Sequence, residues 1–325
     1  MKVLVTGANG LLGHHVVMQL QKMNHAIRII LRAKSKIYFD LSNIESVVGN
    51  FREYEILKIA ADGCDAIIHI AAVTSTNLLY YKDYSRVNVD GSATIIKVAN
   101  ELKINKIIYV STANTIGHGS WDKLSDESNT IDFPFSKSLY ARSKVEAEKL
   151  FVEASKLPNR HVIIINPTFM IGSYDTKPSS GKLMLMAYQK PVMFAPVGGK
   201  NFVAVSDVAT AICNALTQGK NGQRYLTSGV NISFNEFYKI QSRVGGYNQK
   251  IINIPGFLLE MIGRLGDLIR IFGIKTDVCS MNLNQLTVQE YYKNDKAIEQ
   301  LNMPQKPIEK AIDEALNWFK ENNKI

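Results

Sequence analysis

Apolar and polar positions follow two distinct rhythms over the first half of the chain. Short, nearly continuous apolar runs at Lys2–Thr6, Ala26–Leu31, Ala66–Ala71, Lys106–Ser111 and His161–Asn166 have the length of strands. Between them, apolar residues recur at helical spacing over Leu11–Lys22, Tyr54–Ala61, Tyr84–Leu102 and Tyr140–Lys156. Strands alternating with helices predict right-handed crossovers and a parallel sheet with helices on both faces, an α/β doubly wound architecture. The run Ala66-Ile67-Ile68-His69-Ile70 does not alternate, as a strand covered on both sides should not.

The rhythm becomes irregular after Pro167. Pro178-Ser179-Ser180-Gly181 and Gly198-Gly199-Lys200 read as loops, and Val203–Gln218 resumes with a strand and a helix. The expected division is a nucleotide-binding domain of residues 1–168 and 202–228, with a smaller substrate-binding region of residues 169–201 and 229–325. Pro255–Ile274 reads as an amphipathic helix, with Leu258, Met261, Ile262, Leu265, Ile269 and Phe272 on one face. Glu260, Arg264 and Asp267 lie opposite. That mixed-charge face predicts an ordinary packed helix rather than one lying on a membrane.

Composition narrows the picture. The chain has 325 residues, 46% hydrophobic and 21% charged, as in an ordinary globular protein. A formal charge of +9 admits an anionic ligand, but the basic residues are dispersed without interleaved aromatics, so nucleic acid is not expected as a partner. Cys64, Cys213 and Cys279 are scattered and form no CxxC pair, so neither a disulfide framework nor a metal site is expected. No apolar run of about 18 residues predicts a membrane span. With the first strand beginning at residue 2, no secretory leader is expected, and the reading is a cytoplasmic protein.

Gly7, Gly10 and Gly13 follow the first strand and precede the first helix. A tight turn explains Gly7, close approach of a pyrophosphate explains Gly10, and close helix–strand packing explains Gly13. The helix N-terminus then offers free N–H groups to phosphates. The second strand ends Leu31-Arg32-Ala33-Lys34 with no acid to hold a ribose diol. Arg32, helped by Lys34, suits a 2′-phosphate, which favours NADP(H) and leaves NAD(H) as the second choice.

Tyr140 and Lys144 are four residues apart on one helix face. A tyrosine is a poor acid–base group at neutral pH until a cation lowers its pKa, and Lys144 is placed to do so. Thr112, at the end of the Lys106–Ser111 strand, is the candidate to hold a carbonyl oxygen, with Ser111 as its competitor.

These residues resemble the extended short-chain dehydrogenase/reductase family, also described as the NAD-dependent epimerase/dehydratase superfamily. Thr6-Gly7-Ala8-Asn9-Gly10-Leu11-Leu12-Gly13 is similar to its cofactor loop, and Thr112, Tyr140 and Lys144 to its catalytic set. Asp65–Ala72, Asn88-Val89-Asp90-Gly91 and Val203–Ala209 resemble further family segments. The resemblance implies a Rossmann-like fold. It also implies cofactor contacts from Asn9, Leu11, Leu12, Ala71, Ala72, Val73, Asn88, Val110, Pro167, Thr168 and Met170. Asn50 and Phe51 stand where the family's Gly-Asp-Leu meets adenine. Asn166-Pro167-Thr168 and Arg32 resemble the dihydroflavonol reductase and 3β-hydroxysteroid dehydrogenase branch.

That branch implies hydride transfer to a small, apolar or aromatic carbonyl substrate. Contacts to it are expected from Thr74–Asn77, Gly117–Ser120, Phe169–Lys190 and the C-terminal region, with Met170, Met184, Met186 and Phe194 as candidates for an apolar pocket. A nucleotide-sugar epimerase and a non-catalytic cofactor sensor are the alternatives. By analogy with relatives, a homodimer through the Tyr84–Leu102 and Tyr140–Lys156 helices is an open expectation.

Overall fold

The computed structural model describes all residues from Met1 to Ile325. Its thirteen strands are β1 (Lys2–Thr6), β2 (Ala26–Leu31), β3 (Ile44–Val48), β4 (Ala66–His69), β5 (Lys106–Val110), β6 (His161–Pro167), β7 (Phe169–Ile171), β8 (Val192–Pro196), β9 (Gly199–Ala204), β10 (Arg224–Thr227), β11 (Val230–Ser233), β12 (Lys250–Ile254) and β13 (Gln289–Glu290). The helices used below are α1 (Leu11–Lys22), α2 (Tyr54–Ala61), α3 (Tyr81–Asn88), α4 (Asp90–Glu101), α5 (Leu139–Ser155), α6 (Gly181–Ala187), α7 (Val205–Gln218), α8 (Phe234–Gly245), α9 (Gly256–Ile271) and α10 (Ser280–Asn284).

Seven strands form one parallel sheet in the order β10-β6-β5-β4-β1-β2-β3. The chain first runs outward from β1 to β3, then returns to the other side of β1 at β4. The order therefore reverses between β1 and β4, where ligands of open α/β sheets bind at the carboxyl ends of the strands. Two apolar clusters cover the sheet, one on each face. Val3, Val5, Ile29, Ile68 and Ile163 point to one side, and Leu4, Ile67, Ile107 and Ile164 to the other. This even split is what non-alternating strands should give. A third cluster, with Phe202, Phe237, Tyr238 and Phe319, organises β7, β9, α8 and the C-terminal helix.

Gly199 and Lys200, read as part of a loop, open β9 instead, and four further features differ from the sequence expectations. Strand β3 carries no predictive signal because it is an edge strand with a mostly exposed IESVV pattern. Strand β4 ends at His69, two residues early; the chain leaves the sheet with Ala71 N donating to Thr6 Oγ1 at 3.3 Å. The expected Tyr84–Leu102 helix is two helices, broken at Val89. There the Ser92 hydroxyl donates to the Asn88 carbonyl at 2.6 Å, and Gly91 lies so close to Phe51 that a Cβ would sit 2.8 Å from the ring.

The fourth difference is the orientation of α9. It forms as expected, but Leu258, Met261, Ile262, Leu265, Ile269 and Phe272 face solvent. Leu259, Gly263 and Gly266 face the protein instead, because only a glycine surface lets α9 approach the Val278–Ser280 backbone this closely. No helix is long and apolar enough to cross a membrane.

Candidate active site

The turn after β1 is built by glycine geometry. Gly7 has φ +78°, and a Cβ there would lie 2.7 Å from the Ala71 nitrogen. Gly13 is closed off by the Gly7 carbonyl and the Ala8 backbone, which sets α1 against β1. Gly10 is exposed, and a Cβ on it would meet only the Gly7 carbonyl, at 3.5 Å. The space above Gly10 is therefore open where the space around Gly7 and Gly13 is filled. No side chain caps α1, and its first turn carries no acid, so the N–H groups beside Asn9, Leu11 and Leu12 stay available to a pyrophosphate.

At the end of β2, Arg32 and Lys34 are exposed and free of ion pairs. Asp40, the nearest following acid, takes both the amide and the hydroxyl of Ser42, at 3.0 and 2.6 Å. It is engaged locally and leaves the end of β2 to the cations. Asn50 Oδ1 accepts from the Arg52 amide and Nε, and Phe51 wedges between Gly91 and His69. Both residues are held by the fold more firmly than the sequence suggests.

The catalytic candidates converge at the carboxyl end of β5. Ser111 is buried, and its hydroxyl donates to Glu148 at 2.7 Å. Thr112, the next residue, is partly open, whereas the Ser111 hydroxyl is taken up within the scaffold. Ser138 caps α5 through a bond from the Ala141 amide, so Tyr140 enters in the first turn of the helix. Burial pushes the Tyr140 phenol up to about 12, while the Thr112 hydroxyl beside it pulls the other way.

Lys144 is bonded to the sheet and not to Tyr140. Its ammonium group donates to the Val110 carbonyl at 2.8 Å and lies 4.4 Å from the centre of the Tyr109 ring. Burial pushes it down to about 7, against the raising influence of Glu148. It is thus satisfied by the end of β5 and not by the Tyr140 hydroxyl.

Asn88 also changes role. Its amide spans the Val73 backbone, accepting from N at 2.8 Å and donating to O at 3.1 Å, and it donates to Ser143 Oγ at 2.9 Å. It positions the Ala71-Ala72-Val73 loop and does not present a free group to the cofactor. Similarly, the Thr168 hydroxyl donates to Asn201 at 2.7 Å, while Pro167 ends β6 and Met170 packs on the first core cluster.

The expected apolar pocket is not assembled. Met184 is fully buried in the third cluster, and Met186 and Phe194 face solvent. Gly117–Ser120 is closed over by Tyr291, which bridges Gly119. Of the expected substrate segments, Thr74–Asn77 is linked to Tyr140 through Tyr84. Tyr84 donates to the Ser75 carbonyl at 2.7 Å, and its ring sits 6.5 Å from that of Tyr140. Asn282 and Arg270 reach the Thr76 and Leu78 carbonyls from above, at 3.3 and 3.1 Å.

The sequence reading missed Tyr84, buried beside Tyr140, and Glu148. Glu148 stands four residues after Lys144, so the same spacing that links Tyr140 to Lys144 extends to it. Its Oε2 accepts from Ser111, Thr115 and Asn166, and its Oε1 pairs with Arg224 at 3.3 Å.

A family model described as the NAD dependent epimerase/dehydratase family matches residues 3–228. The chain belongs to this family. Its members are nicotinamide-dependent enzymes acting on CH–OH and C=O groups, and this chain is one of them. It is 27% identical over 332 residues to a Synechocystis sp. protein provisionally assigned as a dihydroflavonol 4-reductase, covering 99% of this chain and 95% of that one. It is 26% identical over 333 residues to sterol demethylase protein B of Methylococcus capsulatus, covering all of both chains. Among solved structures, that of gox2253 superposes with a TM-score of 0.85 at 27% identity, covering 99% of each chain. The family's fold agrees with the parallel seven-stranded sheet seen here.

Proposed function

We propose that this family member is an NADP(H)-dependent carbonyl reductase or alcohol dehydrogenase acting on a small apolar or aromatic substrate. The observation that carries this reading is the meeting of Thr112 and Tyr140 at the carboxyl end of β5, one helical turn from Lys144. When bound, the nicotinamide supplies or accepts the hydride. Thr112 holds the carbonyl oxygen and stabilises its developing charge. Tyr140 donates its proton to that oxygen. Lys144 holds the cofactor ribose and, once charged there, draws the phenol pKa down from its high resting position.

The open space over Gly10, the uncapped α1 N-terminus and the unpaired Arg32 fit a dinucleotide with a 2′-phosphate. Relatives named for dihydroflavonol and sterol chemistry support an apolar or aromatic substrate. Asn166 is fully buried, with its Nδ2 shared among the Thr112 carbonyl, Thr115 and Glu148. A side chain enclosed in this way is not presented to a sugar nucleotide, which favours reduction over epimerisation.

The test is reduction of a panel of ketones and aldehydes, followed by NADPH consumption in wild type and Tyr140→Phe. Turnover should fall roughly 10²–10⁴-fold in the variant with NADPH binding retained. Undiminished turnover would overturn the mechanism.

A further inference from the structure

The first turn of α1 ends on a buried imidazole. His14 follows Gly13, is fully buried, and has its Nδ1 2.9 Å from the Gly10 carbonyl. The same carbonyl accepts from the His14 amide at 3.0 Å. A carbonyl oxygen only accepts, so Nδ1 carries the hydrogen. Burial holds the imidazole below its ordinary pKa and keeps it neutral, with this single N–H. Nε2 is then a bare acceptor, buried and without a partner.

The ring is clamped in this orientation. It stacks on Tyr174, with centroids 5.3 Å apart and planes inclined by 5°, and meets the Phe39 ring edge-on at 5.3 Å. Tyr174 is held in turn. His15 Nε2 donates to the Ser173 carbonyl at 3.2 Å, and Trp318 of the C-terminal helix lies 6.2 Å from the Tyr174 ring.

Packing alone does not call for a histidine here. A phenylalanine would make the same stack without leaving a buried nitrogen unpaired. Nor does Gly10 need the bond, since its carbonyl already has its helical partner. What the imidazole adds is a second donor that fixes the direction of that carbonyl. The peptide joining Gly10 to Leu11 is trans, so its carbonyl and its N–H point opposite ways. Two donors from His14 hold the carbonyl down the helix axis. They thereby aim the Leu11 N–H out of the helix N-terminus, beside the open space over Gly10.

We propose that His14 is a positioning residue for the bound dinucleotide: its Nδ1–H fixes the Gly10–Leu11 peptide so that the Leu11 N–H is set toward the pyrophosphate before the cofactor arrives. The pyrophosphate then meets a donor that needs no ordering on binding. The inference rests on the dinucleotide lying over Gly10. It applies equally to NADH and NADPH, which carry the same pyrophosphate.

The test is calorimetric titration of the cofactor-stripped protein with NADH and, separately, NADPH. His14→Phe keeps a ring on Tyr174 and removes the donor; it should weaken both cofactors alike, by roughly tenfold. His14→Asn keeps an N–H near the Nδ1 position without the ring, and should bind both cofactors close to wild type. Wild-type affinity in His14→Phe, or a loss in His14→Asn as large as in His14→Phe, would overturn the proposal. Gly10→Val tests the placement beneath it. Its side chain fills the space over Gly10, at a backbone φ of −92° that valine accepts, and should abolish binding of both cofactors. Binding lost in Gly10→Val but unchanged in His14→Phe overturns the role of His14 alone. Binding retained in Gly10→Val overturns the placement, and the proposal with it.

Discussion

Lys144 donates its ammonium hydrogen to the Val110 carbonyl, 2.8 Å away, from a fully protein-enclosed position at the end of β5. Burial lowers this lysine to about 7. An anionic dinucleotide placed beside it favours the charged form and raises that value. At pH 8 the free protein holds Lys144 largely neutral, so cofactor binding should take up a proton. At pH 6 the lysine is already charged and uptake should vanish. Titration calorimetry in two buffers of different ionisation enthalpy reads this directly. Lys144→Met should abolish the pH 8 uptake.

Arg32 is exposed and unpaired at the end of β2. A charge-assisted contact to a 2′-phosphate is worth about 1.5–3 kcal/mol. Arg32→Asp should therefore weaken NADPH binding roughly tenfold to a hundredfold and favour NADH. Equal affinities before and after substitution would place the phosphate elsewhere.

Glu148 gathers three donors and one arginine at the base of the Thr112 turn. Glu148→Leu leaves those donors and Arg224 without their acceptor and should cost about 3–5 kcal/mol in urea unfolding. Glu148→Gln keeps an acceptor oxygen and should cost less. In Glu148→Gln, kcat should fall while the NADPH dissociation constant holds, because Thr112 shifts and the dinucleotide loop does not.

Most of the sheet was legible because its strands are buried on both faces and its helices are amphipathic. Strand β3 was illegible because an edge strand needs no apolar pattern. Tyr140 and Lys144 could be placed by helical spacing alone, and Thr112 by its position after β5. The partners of Asn88 and Thr168 could not, since they come from Val73, Ser143 and Asn201, 15, 55 and 33 residues away. The α9 periodicity correctly gave a helix, but periodicity does not say which stripe is buried. Two glycines that touch the Val278–Ser280 backbone decided that.

Buried histidines predict the acid response. Burial holds His15 at about 4 and His69 at about 3, below their ordinary 6.5. As pH falls below 6.5 the unfolded chain takes up protons that the folded chain refuses, so stability should drop between pH 6.5 and 4. Melting temperatures across that window should show a shallower slope in His15→Gln, whose amide can still donate to the Ser173 carbonyl that His15 meets at 3.2 Å.

The break at Val89 has a mechanical meaning. Asn88, the last residue of α3, clasps Val73 on one side and Ser143 on the other with its side-chain amide. Ser143 is the immediate neighbour of Lys144. The Ala71-Ala72-Val73 loop and the helix that carries Tyr140 are thereby joined through one side chain. Under the proposed function, a shift of that loop on cofactor binding would be passed to Tyr140.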